Sequence, residues 1–450
     1  MDAKIAGCIE SNKHRYLEEL KSLLRFASVS AQQSHKDDVC SCAQWLVEHF
    51  KSLSADAALI DTELHPIVRA RFGKSGGKRI IIYGHYDVQP VEPLNSWQSD
   101  PFEPNIRDGY LYARGATDDK TQFFAHVKAV ESLIKSGNDI GCEIIFLLEG
   151  EEECGGKSLE KYVRQNKDEL KSYAVIVSDS TLYGDSPAIG YGLRGTVGWE
   201  IIVKGPKADL HSGSFGGTVA NPAIALANII AKCIDENGNV LIPGFYDDVD
   251  SVKDWENENL KRLAFDEKAF LQKTGAKKIL GDENIHPLVK MWARPTFEVN
   301  GIYGGYMAQG GKTIIPSSAG AKFSARIVPS QKPEKIAKLI VDHIKSVCPD
   351  NVELEWIGPG WSEPVVFDVD HAVYKTVANA LEAGFGKKPV YIREGGSIPV
   401  VSTFCAELNC PVLLMGFGED TDGAHSPNER FKLEHFYKAI ATIAEFISKI

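Results

Sequence analysis

The chain has 450 residues, 43% hydrophobic and 25% charged, with 50 basic against 61 acidic side chains and a formal net charge of -11. Such a length is about twice a common single domain, so two domains are expected, and the composition excludes the disordered and fibrous classes. The basic residues are scattered rather than gathered into a stripe, which excludes a phosphate-tracking nucleic-acid binder, and no run approaches the roughly 18 apolar residues of a membrane span.

From the N-terminus, "MDAKIAGCIESNKHRYLEEL" carries acids where a secretory leader would be basic and then apolar. The nine cysteines include no CxxC pair. Free thiols in a reducing compartment, the cytoplasm, are the expectation. Tyr16, Leu17, Leu20, Leu23 and Leu24 share one helical face, and Val39, Cys42, Leu46 and Phe50 repeat the pattern. Apolar runs at Ile80–Tyr83, Glu143–Leu148 and Tyr173–Val177 read as strands. Between the first two, Phe123, Phe124, Val127, Val130, Leu133 and Ile134 form a helix that stops at Gly137. Alternating strands and helices predict an α/β layer with a mostly parallel sheet.

Past about residue 195 the texture changes to "VGWEIIVKG", the helix "NPAIALANIIAKCI", a polar stretch to about 290, "KTIIPSSAGAKFSARIVP", the helix "KPEKIAKLIVDHIKSV" with Pro333 in its first turn, and the strand "VELEWI". A helix near 372–383, the strand "PVLLMGFG" and a terminal helix at 434–448 return to α/β texture. The predicted organisation is a first domain in two parts, 1–194 and 366–450, with an α+β module inserted at 195–365.

Five fragments carry chemistry: "GHYDVQP", "GATDDK", "LLEGEEECGG", "VSDS" and "GAHSPNE". Four lie at or beside the C-terminal ends of the expected strands, where open α/β sheets build their sites. They offer imidazole nitrogen and carboxylate oxygen, donors suited to Zn²⁺ or Mn²⁺. Taken singly, His85 reads as a core histidine sooner than as a ligand, and the acids at 151–153 as a solvated helix start; only their combination brings a metal site to even standing. "GYGLRGTVG" lacks the Lys and Ser or Thr of a P-loop, which argues against a nucleotide site.

The ordered series "GHYDVQP", "GATDDK", "EGEEECGG", "SDS", "DLHSG", "REGGSIP" and "GAHSPNE" resembles the M20 metallopeptidase family, closest to its cytosolic nonspecific dipeptidase and carnosinase branch. "SWQSDPF", "YGLRG", "NVLIPG" and "GKTIIP" extend the resemblance over nearly the whole chain. It implies a zinc-peptidase-type catalytic domain of the phosphorylase/hydrolase-like kind and an inserted lid and dimerisation domain. It also implies two divalent metal ions, Zn or Mn with Co as an option. His85 and Asp179 would complete one metal site, Glu153 and His425 the other, and Asp118 would bridge both. Asp87 would hold the tautomer of His85, and Glu152 would be the general base acting on a bridging water. The bond between Asp118 and Asp119 would be cis, and aligning "EGEEECGG" by its ends leaves Glu151 as a spare, solvated acid.

In the inserted module His211 would reach a partner subunit's site to stabilise the oxyanion, which implies a homodimer. Arg326, His371, Thr313, Gly396 and Ser397 would contact substrate, the arginine through its planar fork on a free carboxylate. The implied activity is hydrolysis of dipeptides and short peptides with a free C-terminus. The alternative within the same superfamily is an N-acyl-amino-acid amidohydrolase or desuccinylase.

Overall fold

The structure is a computed structural model that describes residues 2–73, 76–138, 140–396 and 398–450. The chain divides into two compact units: Met1–Tyr191 with Phe367–Ile392 and Thr403–Ile450, and Gly192–Val366 with Arg393–Ser402. The short segment 393–402 joins the second unit, although the sequence reading leaves it in the first. Arg393 forms an ion pair with Glu256, and Arg194 Nε donates to Gly395 O at 3.0 Å, so these two ties of the segment run to residues of the second unit.

The first unit is built on a sheet in the strand order Asp56–Ile60, Ile67–Phe72, Glu143–Glu149, Arg79–His85, Ala174–Val177, Val412–Leu414, Ala188–Leu193, with Val390–Glu394 on the last. The four strands from Glu143–Glu149 to Val412–Leu414 run parallel, and the flanking pairs are antiparallel. Ile80, Ile81 and Ile82 are all fully buried, as expected of a strand covered on both faces. Each contributes about 1.5–3 kcal/mol relative to an exposed side chain.

Helix Ala3–Leu24 buries Tyr16, Leu20, Leu23 and Leu24, and helix Lys36–Ser52 buries Val39, Cys42, Leu46 and Phe50, the two faces read from the sequence. Helix Lys120–Lys135 lies between the sheet and the terminal helix Leu433–Ile447 and ends ahead of Gly137 at φ 74°. Its first residue ties two elements together. Lys120 is fully buried and donates from Nζ to Phe26 O at 2.8 Å, just past the carboxyl end of helix Ala3–Leu24.

The second unit carries an antiparallel sheet in the order Thr296–Gly304, Ser318–Ile327, Gly195–Lys204, Glu353–Ser362. Along Gly195–Lys204 buried positions alternate with half-buried ones, the period of a sheet covered on one face. Val197, Ile201 and Val203 pack there with Leu226 and Ile229 of helix Pro222–Ala231 and Ile336 and Ile340 of helix Pro333–Val347. The polar stretch before residue 290 holds three short helices, Asp254–Arg262, Glu267–Thr274 and Pro287–Trp292. The nine cysteines are unpaired.

Candidate metal centre

Parallel strands deliver their C-terminal ends to one edge of the sheet, and the chemical fragments follow those ends. His85 closes strand Arg79–His85, Glu152 and Glu153 begin the turn after Glu143–Glu149, Asp179 lies two residues beyond Ala174–Val177, and His425 sits on the loop after Val412–Leu414. Asp118 comes from the turn entering helix Lys120–Lys135, across a cis Asp118–Asp119 peptide. His425 adopts φ 62°, a left-handed conformation uncommon for a residue with a side chain.

Asp118 is the hub of the cluster. Its Oδ1 lies 2.9 Å from His85 Nε2 and its Oδ2 lies 3.0 Å from His425 Nε2. His85 Nε2 is 3.8 Å from Asp179 Oδ2, and His425 Nε2 is 3.2 Å from Glu153 Oε2. Two donors bonded to one tetrahedral Zn²⁺ lie about 3.3 Å apart, because each bond is about 2.0–2.1 Å. The spacings therefore match two ligand sets, His85–Asp118–Asp179 and Asp118–Glu153–His425, each with its donor atoms within 4.8 Å of one another.

Electrostatics gives a second test of fit. Burial, with Asp118, Glu152 and Glu153 adding, pushes the Asp179 carboxyl well above its usual range against the pull of His85. Burial likewise lifts Glu152 to about 7, helped by Glu153, Asp118 and Asp87. Bonds from Asp118 and Glu153 raise the His425 imidazole to about 10. Burial would raise Asp118 too, but the bonds from His425 and His85 outweigh it and hold the carboxyl low. Fully ionised, four carboxylates around two neutral imidazoles would carry an excess of negative charge, which protons offset here and which divalent cations would balance. The donor set fits such a pair.

The supporting contacts lock the donors. His85 Nδ1 is 3.1 Å from the backbone carbonyl of Asp87 and 3.5 Å from its Oδ1, so this edge of the ring donates, and Nε2, which here faces Asp118, is the nitrogen that would lose its proton to ligate an ion. The Asp87 carboxylate also holds the neighbouring segment, its Oδ2 accepting from Ser30 Oγ at 2.6 Å and from Glu153 N at 3.0 Å. Gln89 Nε2 donates to Glu153 Oε2 at 2.7 Å. Glu153, rather than Glu152, is thereby turned toward His425.

Glu151 differs from expectation: it is 2% exposed, not solvated. Its Oε1 accepts from His65 N at 2.9 Å and Thr62 Oγ1 at 3.2 Å, and Oε2 from Ser158 N at 3.3 Å, so the loop before Ile67 folds over it. Gly156 makes room for this burial, since an added Cβ there would meet Glu151 Oε2 at 2.1 Å.

The remaining expected residues lie elsewhere. In the second unit His211 pairs with Ile314, and Ser212 N donates to Thr313 O at 3.0 Å, so His211 and Thr313 are neighbours. His211 Nδ1 accepts from Gly213 N at 3.1 Å, which puts the proton of a neutral ring on Nε2. Arg326 lies on strand Ser318–Ile327 opposite Thr196. Its charge, after burial, helps push the Arg194 guanidinium down to about 10, and Arg194 is a residue the motif reading left without a role. Gly396 is exposed on the bend after Val390–Glu394, and Ser397 lies outside the described residues.

His371, expected among the substrate contacts, instead caps helix Ala372–Phe385 through Nδ1 and packs 5.4 Å from the Tyr173 ring. Tyr173 N bonds to Arg79 O, at the end of the sheet opposite His85. The six steps of strand Arg79–His85 separate these ends by about 20 Å. The structure thus sets His371 apart from the cluster.

Residues 81–449 match peptidase family M20/M25/M40. The Cys-Gly metallodipeptidase of Schizosaccharomyces pombe is 32% identical over 99% of this chain and 98% of its own length. The Beta-Ala-His dipeptidase of Homo sapiens is 31% identical over 98% of this chain and 91% of its own. Among solved structures, an M20 family metallo-carboxypeptidase from Sulfolobus solfataricus is 32% identical with a TM-score of 0.87, covering 100% of this chain and 99% of that one.

Proposed function

The chain belongs to the M20/M25/M40 peptidase family and is a metallopeptidase, and on that footing we propose that it hydrolyses dipeptides and short peptides with a free C-terminal carboxylate at a site holding two divalent ions. The observation that carries this reading is the division of Asp118, one oxygen toward His85 and the other toward His425. His85 and Asp179 complete one ligand set and Glu153 and His425 the other. Zn²⁺, Mn²⁺ and Co²⁺ all suit imidazole with carboxylate.

Two ions bound there supply polarisation of the scissile carbonyl and acidification of a shared water. Glu152 takes the proton as the water oxygen attacks the carbonyl carbon, then gives it to the nitrogen as the C–N bond breaks. Burial raises its carboxyl and cations held by its neighbours would pull it down again, which keeps it ionised to accept the proton. The backbone carbonyl of Asp87, with its carboxylate 3.5 Å away, keeps His85 oriented through Nδ1.

In the second unit His211 offers an Nε2–H donor for the developing oxyanion of a substrate held by a partner subunit. Arg326 binds the terminal carboxylate, with Thr313 and Gly396 beside the substrate. This unit serves as lid and dimerisation domain. An apolar surface on it supports that role: Ile224, Ile302 and Met307 are 61%, 65% and 75% exposed. Nine free thiols support a cytoplasmic location, and among the described residues no helix is long and apolar enough to cross a membrane.

The test is a rate panel on metal-loaded protein with Ala-Ala, Cys-Gly and β-Ala-His, a series lengthened to pentapeptides, and N-acetyl amino acids. Dipeptides should turn over fastest. Equal rates on pentapeptides would favour a carboxypeptidase, and faster turnover of the acetylated set would replace the proposal with an amidohydrolase.

A further inference from the structure

Four residues past His425 lies a side chain the mechanism does not use. Glu429 is fully buried, and both of its carboxylate oxygens face donors. Oε2 accepts from Arg114 Nη1 at 2.8 Å and Gly115 N at 3.0 Å, while Oε1 accepts from Thr117 N at 2.8 Å and Asp118 N at 3.1 Å. With donors on both sides the group is a carboxylate, since a proton on either oxygen would meet an N–H. Arg114 is 1% exposed and spends its other arm on Pro90 O at 2.9 Å, in the segment that begins with His85. The backbone closes the same joint, Ala113 N donating to Glu429 O at 3.1 Å where Arg430–Lys432 pairs with Tyr110–Tyr112.

Three ligand-bearing segments therefore meet on one buried ion pair: residues 85–90, 114–118 and 425–429. Asp118 is the residue most exposed to an error in that joint, because each of its oxygens must face a different histidine. A bond to its own backbone N–H fixes where its side chain starts.

We propose that Glu429, braced by Arg114, is the positioning residue that sets Asp118 between the two ligand sets and so governs how tightly both ions are held together. The proposal rests on the reading that Asp118 and His425 bind metal. Replacing one carboxylate oxygen by an amide NH₂, as in Glu429→Gln, forces a donor against either the Arg114–Gly115 pair or the Thr117–Asp118 pair. Loss of an outer contact of this kind lowers metal affinity by about 10–100-fold.

The control is Glu131→Gln. Glu131 is 1% exposed and bonded to Lys128 at 2.9 Å, in another buried charge network on the far turns of helix Lys120–Lys135. Metal-free wild type, Glu429→Gln and Glu131→Gln are titrated with Co²⁺, following the visible absorption of the bound ion, and near-UV circular dichroism and melting temperature are recorded for each. Wild type should bind about two equivalents. Glu429→Gln should keep its dichroism yet bind both equivalents at least about tenfold more weakly, and Glu131→Gln should melt earlier with wild-type affinity. Wild-type affinity in Glu429→Gln, or affinity lost in both variants in step with melting temperature, overturns the proposal. Failure of the wild type to bind Co²⁺ overturns instead the metal reading beneath it. Should Glu429→Gln not fold, Arg114→Lys decides: it keeps the charge but cannot span Glu429 and Pro90 together, so weakened binding supports the proposal and unchanged binding refutes it.

Discussion

Gly84 stands between the core of strand Arg79–His85 and the first metal-facing histidine, and adding a single methyl there tests how the fold holds that histidine. A Cβ at Gly84 would lie 2.5 Å from Phe123 Cβ and 2.9 Å from Asp119 Oδ2, where ordinary contact is 3.4–4 Å. Relieving the first clash requires about 1 Å of movement between two backbones packed in a fully buried core, because Phe123 Cβ cannot swing aside as a flexible chain end could. Overpacking of this kind costs about 1–3 kcal/mol. The movement is directed at the site. His85 N donates to Asp119 Oδ2 at 3.3 Å, and the neighbouring Asp118 lies 2.9 Å from His85 Nε2, so parting strand from helix parts these ligands. A misplacement of about 1 Å can lower turnover by about 10²-fold. Gly84→Ala should therefore melt earlier, retain less metal after dialysis and cleave Cys-Gly at about a hundredth of the wild-type rate. Wild-type turnover and metal content in a folded Gly84→Ala protein would refute the view that this close approach sets the ligand geometry.

Glu152→Ala should leave metal content unchanged and lower kcat by about 10²–10⁴-fold; loss of metal together with activity would mean that Glu152 and Glu153 have exchanged roles. For Glu131, burial alone would raise the carboxyl, but Lys128, Lys135 and Arg15 outweigh it and hold the group at about 2 against an ordinary 4.5. A depressed folded value makes its contribution, on the order of 3 kcal/mol, fully present above pH 4.5 and lost as pH falls from there toward 2. Urea melts should accordingly show a gap between wild type and Glu131→Gln that is large at pH 7 and shrinks by pH 3; an equal gap at both would contradict the assignment. Ile302→Glu, at an exposed apolar position of the second unit, should convert a dimer to a monomer in light scattering, whereas an undisturbed dimer would place the interface elsewhere.

The sequence marked the strands and the ligands by the same physical signal. The run from Ile80 to Tyr83 is apolar because both faces of the strand are covered, and His85 follows because the site lies where that strand ends. The parallel centre of the sheet was legible for this reason, whereas the antiparallel flank formed by Asp56–Ile60 and Ile67–Phe72, where Arg69 and Arg71 interrupt the apolar run, was not. Residues whose role depends on distant partners were harder to read. Glu151 looks solvated beside two other acids and becomes buried only because Thr62 and His65 close over it. Glu429 lies in a polar loop whose significance depends on the main chain of residues 115–118, more than 300 positions earlier. His371 is a helix cap, a use of histidine that leaves no motif. The short helices between 254 and 292 are too brief to develop a clear apolar period.

Metal content of Asp118→Ala beside that of His425→Ala tests the central claim most directly, with circular dichroism confirming that both variants fold. If Asp118 is shared by two ligand sets, wild type carries about two ions per chain, His425→Ala about one, and Asp118→Ala almost none. Retention of both ions by folded Asp118→Ala would contradict the shared site.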